Sequence, residues 1–529
     1  MSKFLLKNPV LTATVFGFAL AALPQAVRAA STEIPPDVLR QLRVLSERVQ
    51  ELEQQKAASQ PVYVQELNQK VKVLERRQEL ADEEAAKVKK EQPLVVAGEK
   101  GFGLKSADGN FELKLRGLVQ ADGRYFDNGI KGQHTGVDST TKEASNNLLV
   151  RRARPTIEGS FFEKYGFRIT PDFGGSSTTL VDAYVDGNFD PAFKVRAGKF
   201  TPPLGLERLQ SSADTKFAEL ALVSNFLPSR DVGVQLGGDV LGNTLNYSVG
   251  IFNGAADGAT GDNSDGNTDK ELQARLFAQP FLNQPGFFQG LGLGVAASVN
   301  DGAGGTGNTG LSKFKTPGQE DFFGYRGDTS IAAASNPVTK AEVNTVYLDG
   351  ERTRLVPQFH YFNGSIGLLG EYVEELQGLS RFKSAGGIPK AENRSDKIEN
   401  DGWQLTTAWA ITGEEESLKG IKPAQNFDPG NGGWGAWELV ARTGELNIDK
   451  DAFLVDGVLG NSNSFADATK SAQSAQNWGV GVNWYLNKVV RVSLDYDHTD
   501  FVWGGGGKAL LPKDRADEDV VVSRIQASF

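Results

Sequence analysis

From about residue 100 to Phe529 the chain alternates apolar and polar side chains with a period of two, the spacing at which an extended backbone presents opposite faces. At the C-terminus Val521, Ile525, Ala527 and Phe529 fall on one side, and Arg524, Gln526 and Ser528 on the other. The pattern is imperfect there: Val520 and Val522 share the polar face and Ser523 sits on the apolar one. Phe111, Leu113, Leu115, Val119 and Tyr125 alternate in the same way with Glu112, Lys114, Arg116, Gln120, Asp122 and Arg124. The pattern returns at Leu245, Tyr247, Val249 and Ile251, and again at Trp478, Val480, Val482 and Trp484. A soluble sandwich strand alternates too. Such a sandwich needs an inner apolar face to bury, whereas the second face of nearly every segment here is polar, as a membrane barrel with a wet lumen requires.

Counting segments after residue 99 gives about sixteen strands, the even number of an outer-membrane barrel. They begin near residues 111, 148, 166, 179, 192, 231, 243, 270, 290, 351, 365, 402, 434, 473, 489 and 519. Their connections alternate between tight reversals, such as Asn188-Phe189-Asp190-Pro191 and Leu486-Asn487-Lys488, and long loops at 127–147, 201–230, 254–269, 301–350, 448–472 and 503–518. Short turns inside and long loops outside match a barrel inserted from the periplasm. One inside connection, 414–433, is long, and the alternation offers no reason for it. Tyr125, Phe161, Tyr361, Trp403, Trp409, Trp437, Trp484 and Phe501 lie toward strand ends, where aromatic rings form interfacial girdles. The expected fold is all-β, a transmembrane antiparallel β-barrel of about sixteen strands at residues 95–529.

Lys3 and Lys7 precede an apolar stretch at 10–23, and Val27-Arg28-Ala29 offers small residues for cleavage after Ala29, so 1–29 reads as an export signal. Residues 30–94 read as an α-helical coiled coil. Leu42, Leu45, Val49 and Leu52 are spaced three and four apart, Gln60-Pro61 interrupts the phase, and a second helix from about 64 to 90 carries Val64, Leu67, Val71, Leu74, Ala81, Ala85 and Val88 on its seam. The opposite face is densely charged and no neighbouring helix is available, which favours self-association. Strand parity places both barrel ends, and hence this segment, on the periplasmic side of a Gram-negative outer membrane, with lipid around the barrel.

A net charge of -10 argues against nucleic acid. With no cysteine and only His134, His360 and His498 as imidazoles, there is little material for a thiolate, a metal cluster or a catalytic dyad, so neither a cofactor nor an enzyme is expected. Asp262-Asn263-Ser264-Asp265-Gly266-Asn267 lacks the final bidentate glutamate of a calcium loop, and Gly504 to Gly507 reads as loop. His498 stands between Asp497 and Asp500 without a motif-placed serine.

In a barrel the alternation assigns the lumen. It turns Arg116, Arg124, Arg152, Arg154, Arg168, Arg196, Arg275, Arg352, Arg354, Arg442, Arg491 and Arg524 inward, with Lys114 and Lys194. Glu112, Asp122, Glu158, Asp182, Asp186, Glu271, Glu371, Glu438, Asp495 and Asp497 face the same way. A guanidinium stays charged and offers a planar fork to an oxyanion. It can equally pair with a neighbouring acid, and alternation leaves both roles open.

The residues also resemble a known family, the phosphate-selective porin O and porin P family of bacterial outer membranes, over roughly 95–529. The matching stretches are Val150-Arg151-Arg152-Ala153-Arg154, Val195-Arg196-Ala197-Gly198-Lys199-Phe200, Ser229-Arg230-Asp231-Val232-Gly233-Val234-Gln235, Thr316-Pro317-Gly318-Gln319 with Phe322-Phe323-Gly324-Tyr325, and Gly367-Leu368-Leu369-Gly370-Glu371-Tyr372. The most specific runs through the long inside connection, from Gly420-Ile421-Lys422-Pro423 and Phe427-Asp428-Pro429-Gly430 to Gly432-Gly433-Trp434-Gly435-Ala436-Trp437-Glu438-Leu439. The resemblance implies a homotrimer of sixteen-stranded barrels passing inorganic anions such as phosphate or polyphosphate through an arginine-lined pore, with the 201–230 loop folded into it. The candidate anion path is Arg151, Arg152, Arg154, Arg196, Lys199, Arg208, Lys216, Arg230, Arg275, Arg352 and Arg354. Family members often carry an extra arginine before Ser229-Arg230, where this chain reads Ala218-Glu219-Leu220-Ala221, a departure from the pattern expected of strict phosphate selectivity. A general or sugar-conducting porin, and an envelope tether working through its coiled coil, are the alternatives.

Overall fold

The computed structural model describes residues 36–99, 101–127, 144–264, 268–304, 309–328, 344–382, 384–385, 388–389, 394–460 and 463–529. The expected export signal at 1–29 lies outside the described residues, as do parts of the expected external loops. The chain divides into two compact units, one ending at Lys89 and the other beginning at Lys90.

The described part of the first unit lies in helix α1, Pro36–Glu91, which is continuous through Pro61, where a break was expected. One proline removes a single backbone donor, and the turns on either side keep theirs. Along α1 Leu42, Leu45, Val49, Leu52, Leu67, Val71 and Leu74 are all exposed.

The second unit is a barrel of sixteen strands: β1 Phe111–Phe126, β2 Asn147–Phe161, β3 Tyr165–Asp172, β4 Thr179–Asp190, β5 Phe193–Phe200, β6 Asp231–Val240, β7 Leu245–Phe252 and β8 Glu271–Ala278. It continues with β9 Leu291–Ala303, β10 Asn344–Asn363, β11 Ile366–Phe382, β12 Arg394–Ala410, β13 Ala436–Asn447, β14 Ala472–Tyr485, β15 Val490–Lys508 and β16 Glu518–Ser528. Each strand pairs antiparallel with the next, and β16 closes on β1 with Arg524 opposite Asp122 and Ile525 opposite Ala121. Closure removes the free edges that an open sheet would leave.

The outer wall is apolar. Val119, Tyr125, Val150, Ile169, Val185, Val234, Ile251, Leu276, Leu355, Leu494 and Ile525 are exposed, while the polar members of the same strands face the interior. Leaving such side chains in water forfeits about 1.5–3 kcal/mol each, so the band requires a lipid environment.

Three features differ from the alternation reading. A hairpin at Leu94–Gly98 and Gly101–Lys105 precedes β1 and pairs Phe102 with Leu115 and Lys105 with Glu112. It covers the start of β1, which β16 reaches only as far as Leu118. There Phe529 exchanges backbone hydrogen bonds with Gly117, packs its ring over that glycine and meets Phe102 edge-on at 6.3 Å. The second difference is that β9 extends to Ala303 and β10 starts at Asn344, so the loop expected at 301–350 is shorter. The third is that β15 carries Gly504 to Gly507 as strand, paired with Leu511–Asp514, rather than as loop. Glycines have no side chain to register a period of two, so the alternation reading stopped there.

Gly198 in β5 explains part of the Val195-Arg196-Ala197-Gly198-Lys199-Phe200 stretch. Its φ is +129° and a Cβ would lie 2.2 Å from the Ala183 carbonyl oxygen, a backbone atom unable to move aside. Gly198→Ala is expected to cost at least about 2 kcal/mol through strain and displaced backbone. The check is the temperature at which folded barrel converts to the unfolded band on a gel; an unchanged conversion would refute the strain.

Candidate functional site

The connection 201–230, between β5 and β6, turns into the barrel. Its apolar end, Leu222–Phe226 with Leu227, buries Val223, Phe226 and Leu227 in one cluster with Val356 of β10, Val373 of β11, Ile398 of β12 and Leu446 of β13. Those four residues stand on the lumen register of their strands, which is why an apolar segment enters a polar interior. Phe314, Phe322 and Phe323 from the next long loop but one, and Phe453 and Phe465 from 448–471, join the same cluster.

Residues 215–219 are fixed to the wall atom by atom. The Lys216 ammonium donates to Glu416 and Glu438 at 2.5 Å each, the Lys216 carbonyl accepts from Asn483 at 2.8 Å, and the Thr215 carbonyl accepts from Arg491 at 3.0 Å. The Ala218 amide donates to Asp495 at 2.7 Å, and the Ala218 and Glu219 carbonyls accept from Arg524 and Arg442. Glu416 belongs to the long inside connection, whose Ile421 packs with Ala410, Ala436 and Tyr485. That connection is therefore a buttress beneath the infolded loop, the reason its length was unreadable from strand alternation. Burial, and then the neighbouring Glu438 charge, push the Glu416 carboxyl up to about 7. Lys216 is held above its ordinary value although burial opposes this, because Glu438 and then the Tyr485 and Glu416 groups surround it.

The result is a lopsided lumen. On β10 to β16 the inward Arg352, Arg354, Glu371, Glu375, Gln377, Gln404, Glu438, Arg442, Arg491, Asp495, Asp497 and Arg524 are buried beneath loops. On β2 to β7 the inward Arg154, Thr156, Glu158, Arg168, Tyr184, Asp186, Lys194, Arg196, Gln235 and Ser248 are half-exposed. The side chains of Arg168 and Arg196 keep 35% and 37% of their surface open, against 0% for Arg352 and Arg354. The solvent-accessible part of the lumen wall lies along β1 to β7.

Charge is also divided unequally. In the buried half Arg352 and Arg354 face Asp257, Glu271 and Glu375, and Lys216 faces Glu416 and Glu438, so acids outnumber bases. In the open half Glu158 serves both Arg116 at 2.7 Å and Arg168 at 2.6 Å, while Arg154 pairs with Asp172, Arg196 with Asp186, Arg230 with Asp182 and Lys194 with Asp239. At its upper edge Glu219 meets Arg124, Arg151, Arg152 and Arg524, with Asp122 as the second acid. Bases exceed acids wherever one carboxylate is shared. Burial alone would raise the Glu219 carboxyl, but Arg151, then Arg152 and Arg524, hold it well below the ordinary carboxylate range.

The candidate residues sort by these positions. Arg154, Arg196 and Arg230 come together on the open side, and the Arg196 guanidinium lies 4.1 Å from the Tyr184 ring centre. Arg151 reaches the lumen although its sequence parity points outward, because a bulge sets Gln120 opposite Arg152 and Ala121 opposite Val150, leaving Arg151 unpaired and turned to Glu219. Arg152 is buried, donating to Gln120 at 2.8 Å. Arg275 lies in the lumen against the Gln358 and Asn246 amides. Five residues depart from the expected anion path. Lys199 shares the outward register with Ala197, opposite to Arg196, and donates to the Gly261 carbonyl and Asn263. Arg208 is spent on the Ser224 carbonyl, burial and then the Arg230 charge bringing it down to about 10. Lys216 is the loop's anchor. Arg352 and Arg354 are enclosed in their acid cluster, behind the loops. Arg116, Arg168 and Lys194 line the passage and were legible from parity, whereas Asp172 and Asp257 required the structure.

The phosphate-selective porin O and P family matches residues 119–501, most of the chain. The chain belongs to that family. This porin is 24% identical to Porin O of Pseudomonas aeruginosa over 455 residues, 82% of this chain and 92% of that protein. Among solved structures it is similar to the outer membrane channel DcaP of Acinetobacter baumannii (12% identity, TM-score 0.47, 81% of this chain and 99% of that one) and to an anion-selective porin from Comamonas acidovorans (12%, 0.43, 79% and 100%). Family and closed barrel make this chain an outer-membrane porin, a channel by fold.

Proposed function

We propose that the porin passes small inorganic anions, phosphate or polyphosphate among them, along the open stripe of β1 to β7. The observation that carries this reading is the division of charge: counting Lys114 and Lys194 with the arginines, the accessible half holds more basic groups than carboxylates, while the acid-rich clusters are sealed behind loops. Paired arginines attract weakly enough for an ion to leave, as conduction demands. The family name supports anions as the solute class. The pairing of nearly every open-side arginine with an acid favours a second reading, a general pore without phosphate preference. Phosphate block of chloride current in planar bilayers separates the two: the first reading expects a saturable block, and the second expects phosphate to dilute chloride conductance without saturation.

The exposed stripe of α1 supports a parallel, trimeric coiled coil in the periplasm, about 84 Å long at 1.5 Å per residue. Trimerisation of the barrels would then be reinforced by their helices. A peptide of residues 36–91 is expected to gain helicity with concentration and to sediment as a trimer. A peptide that stays monomeric at every concentration removes the stripe as a cause of assembly.

A further inference from the structure

Four guanidinium groups converge on one side chain of the infolded loop. Arg151 donates from Nε and Nη2 to the two Glu219 oxygens at 2.5 and 2.9 Å, Arg124 and Arg524 donate to Oε1 at 3.0 and 3.2 Å, and Arg152 stands at 4.0 Å. The other acid of the cluster, Asp122, is gripped by Arg524 through two bonds of 2.7 Å. The Nε atoms of Arg124 and Arg152 are buried and have no acceptor among the described residues. Arg151, whose side chain keeps 26% of its surface open, connects the cluster to the passage. Four positive charges against two negative, in a largely desolvated place with donors to spare, describe an anion site.

We propose that Glu219 is a tethered stand-in for a permeant oxyanion: its carboxylate fills the cluster of Arg124, Arg151, Arg152 and Arg524, and neutralising it turns that cluster into a binding site for a small oxyanion such as phosphate. The two-point grip of Arg151 on both carboxylate oxygens suits two oxygens of a phosphate, and suits chloride poorly. The loop does not depend on this side chain for its position, because the Glu219 carbonyl, the Ala218 amide and carbonyl and the Lys216 ammonium hold it independently. In wild type the tether keeps phosphate from lodging, so an ion passes Arg151 and moves on.

The inference rests on the anion-path reading, and its test separates the two. Wild type, Glu219→Gln and Glu219→Asp are compared in planar bilayers for block of chloride current by inorganic phosphate, and in detergent for the temperature of barrel unfolding with and without phosphate. Glu219→Gln is expected to be half-blocked at a phosphate concentration at least about tenfold lower than wild type, since one charge removed at contact distance alters an anion's binding by that order or more. Phosphate should raise its unfolding temperature, or be required for its assembly. Glu219→Asp, which keeps the charge, should behave as wild type. A cation-selective wild type overturns the anion path, yet phosphate protection of Glu219→Gln in detergent still reports on the cluster. Unchanged block and no phosphate protection in Glu219→Gln overturn the stand-in, as does a variant that fails to assemble whether or not phosphate is present.

Discussion

Replacing Lys216 with alanine is expected to free the infolded loop and destabilise the barrel by about 3–5 kcal/mol, the range for breaking one side of a buried ion pair. The ammonium lies between Glu416 and Glu438 with almost no exposure, and its loss leaves two buried carboxylates side by side without the base that pairs with both. The backbone bond from Asn483 to the Lys216 carbonyl cannot compensate them. The loop would detach at this anchor, the acid-rich half of the lumen would open, and single-channel currents should become larger and noisier. The combined variant Lys216→Met, Glu416→Gln and Glu438→Gln removes all three charges and should regain most of the stability, since uncharged groups of similar size replace a buried pair at little cost. Gel mobility against temperature measures the stability and bilayer recording measures the current. Equal unfolding of Lys216→Ala and wild type would mean that the apolar cluster alone holds the loop.

Arg154→Ala combined with Arg196→Ala is expected to shift permeability toward cations by roughly thirtyfold, from about 1 kcal/mol at each of the two altered charges in a partly wet lumen. Each arginine neutralises a particular acid, Arg154 with Asp172 at 2.7 Å and Arg196 with Asp186 at 2.7 Å. Truncation therefore changes each position from a balanced pair to a bare carboxylate, a larger electrostatic change than a lost solute contact. Adding Asp172→Asn and Asp186→Asn to the same chain should return most of the selectivity. If the double arginine variant alters stability but leaves the reversal potential in place, the pairs serve only the wall, and the passage runs elsewhere.

Strand number, most strand starts and the facing of most lumen arginines were legible because a period of two is a property of the backbone, although β10 and β12 begin at Asn344 and Arg394, earlier than the expected 351 and 402. The same rule failed where the backbone departs from it: the bulge that turns Arg151 inward, and the glycine run in β15 that hides a strand. Val520 and Val522, which looked misplaced on the polar face, are buried with Phe126 and Ala218 where the infolded loop covers them. Apolar residues on a lumen register, there and at Val356, Val373, Ile398 and Leu446, were the available sign that loops fill half the interior. Which arginines remain accessible was not legible, since it depends on contacts between segments far apart in sequence, such as Lys216 with Glu416. Glu219 was visible only as a departure from a family pattern; its four partners come from β1, β2 and β16, and only the fold brings them together.

The most direct test of anion passage is the reversal potential of the purified wild-type porin in a planar bilayer separating two potassium chloride concentrations. A potential of the sign set by chloride, falling toward zero as salt screens the lumen charges at high ionic strength, is the expected result. A potential of the sign set by potassium would contradict it, because it would place the permeating ion among the acids that this fold buries behind its loops.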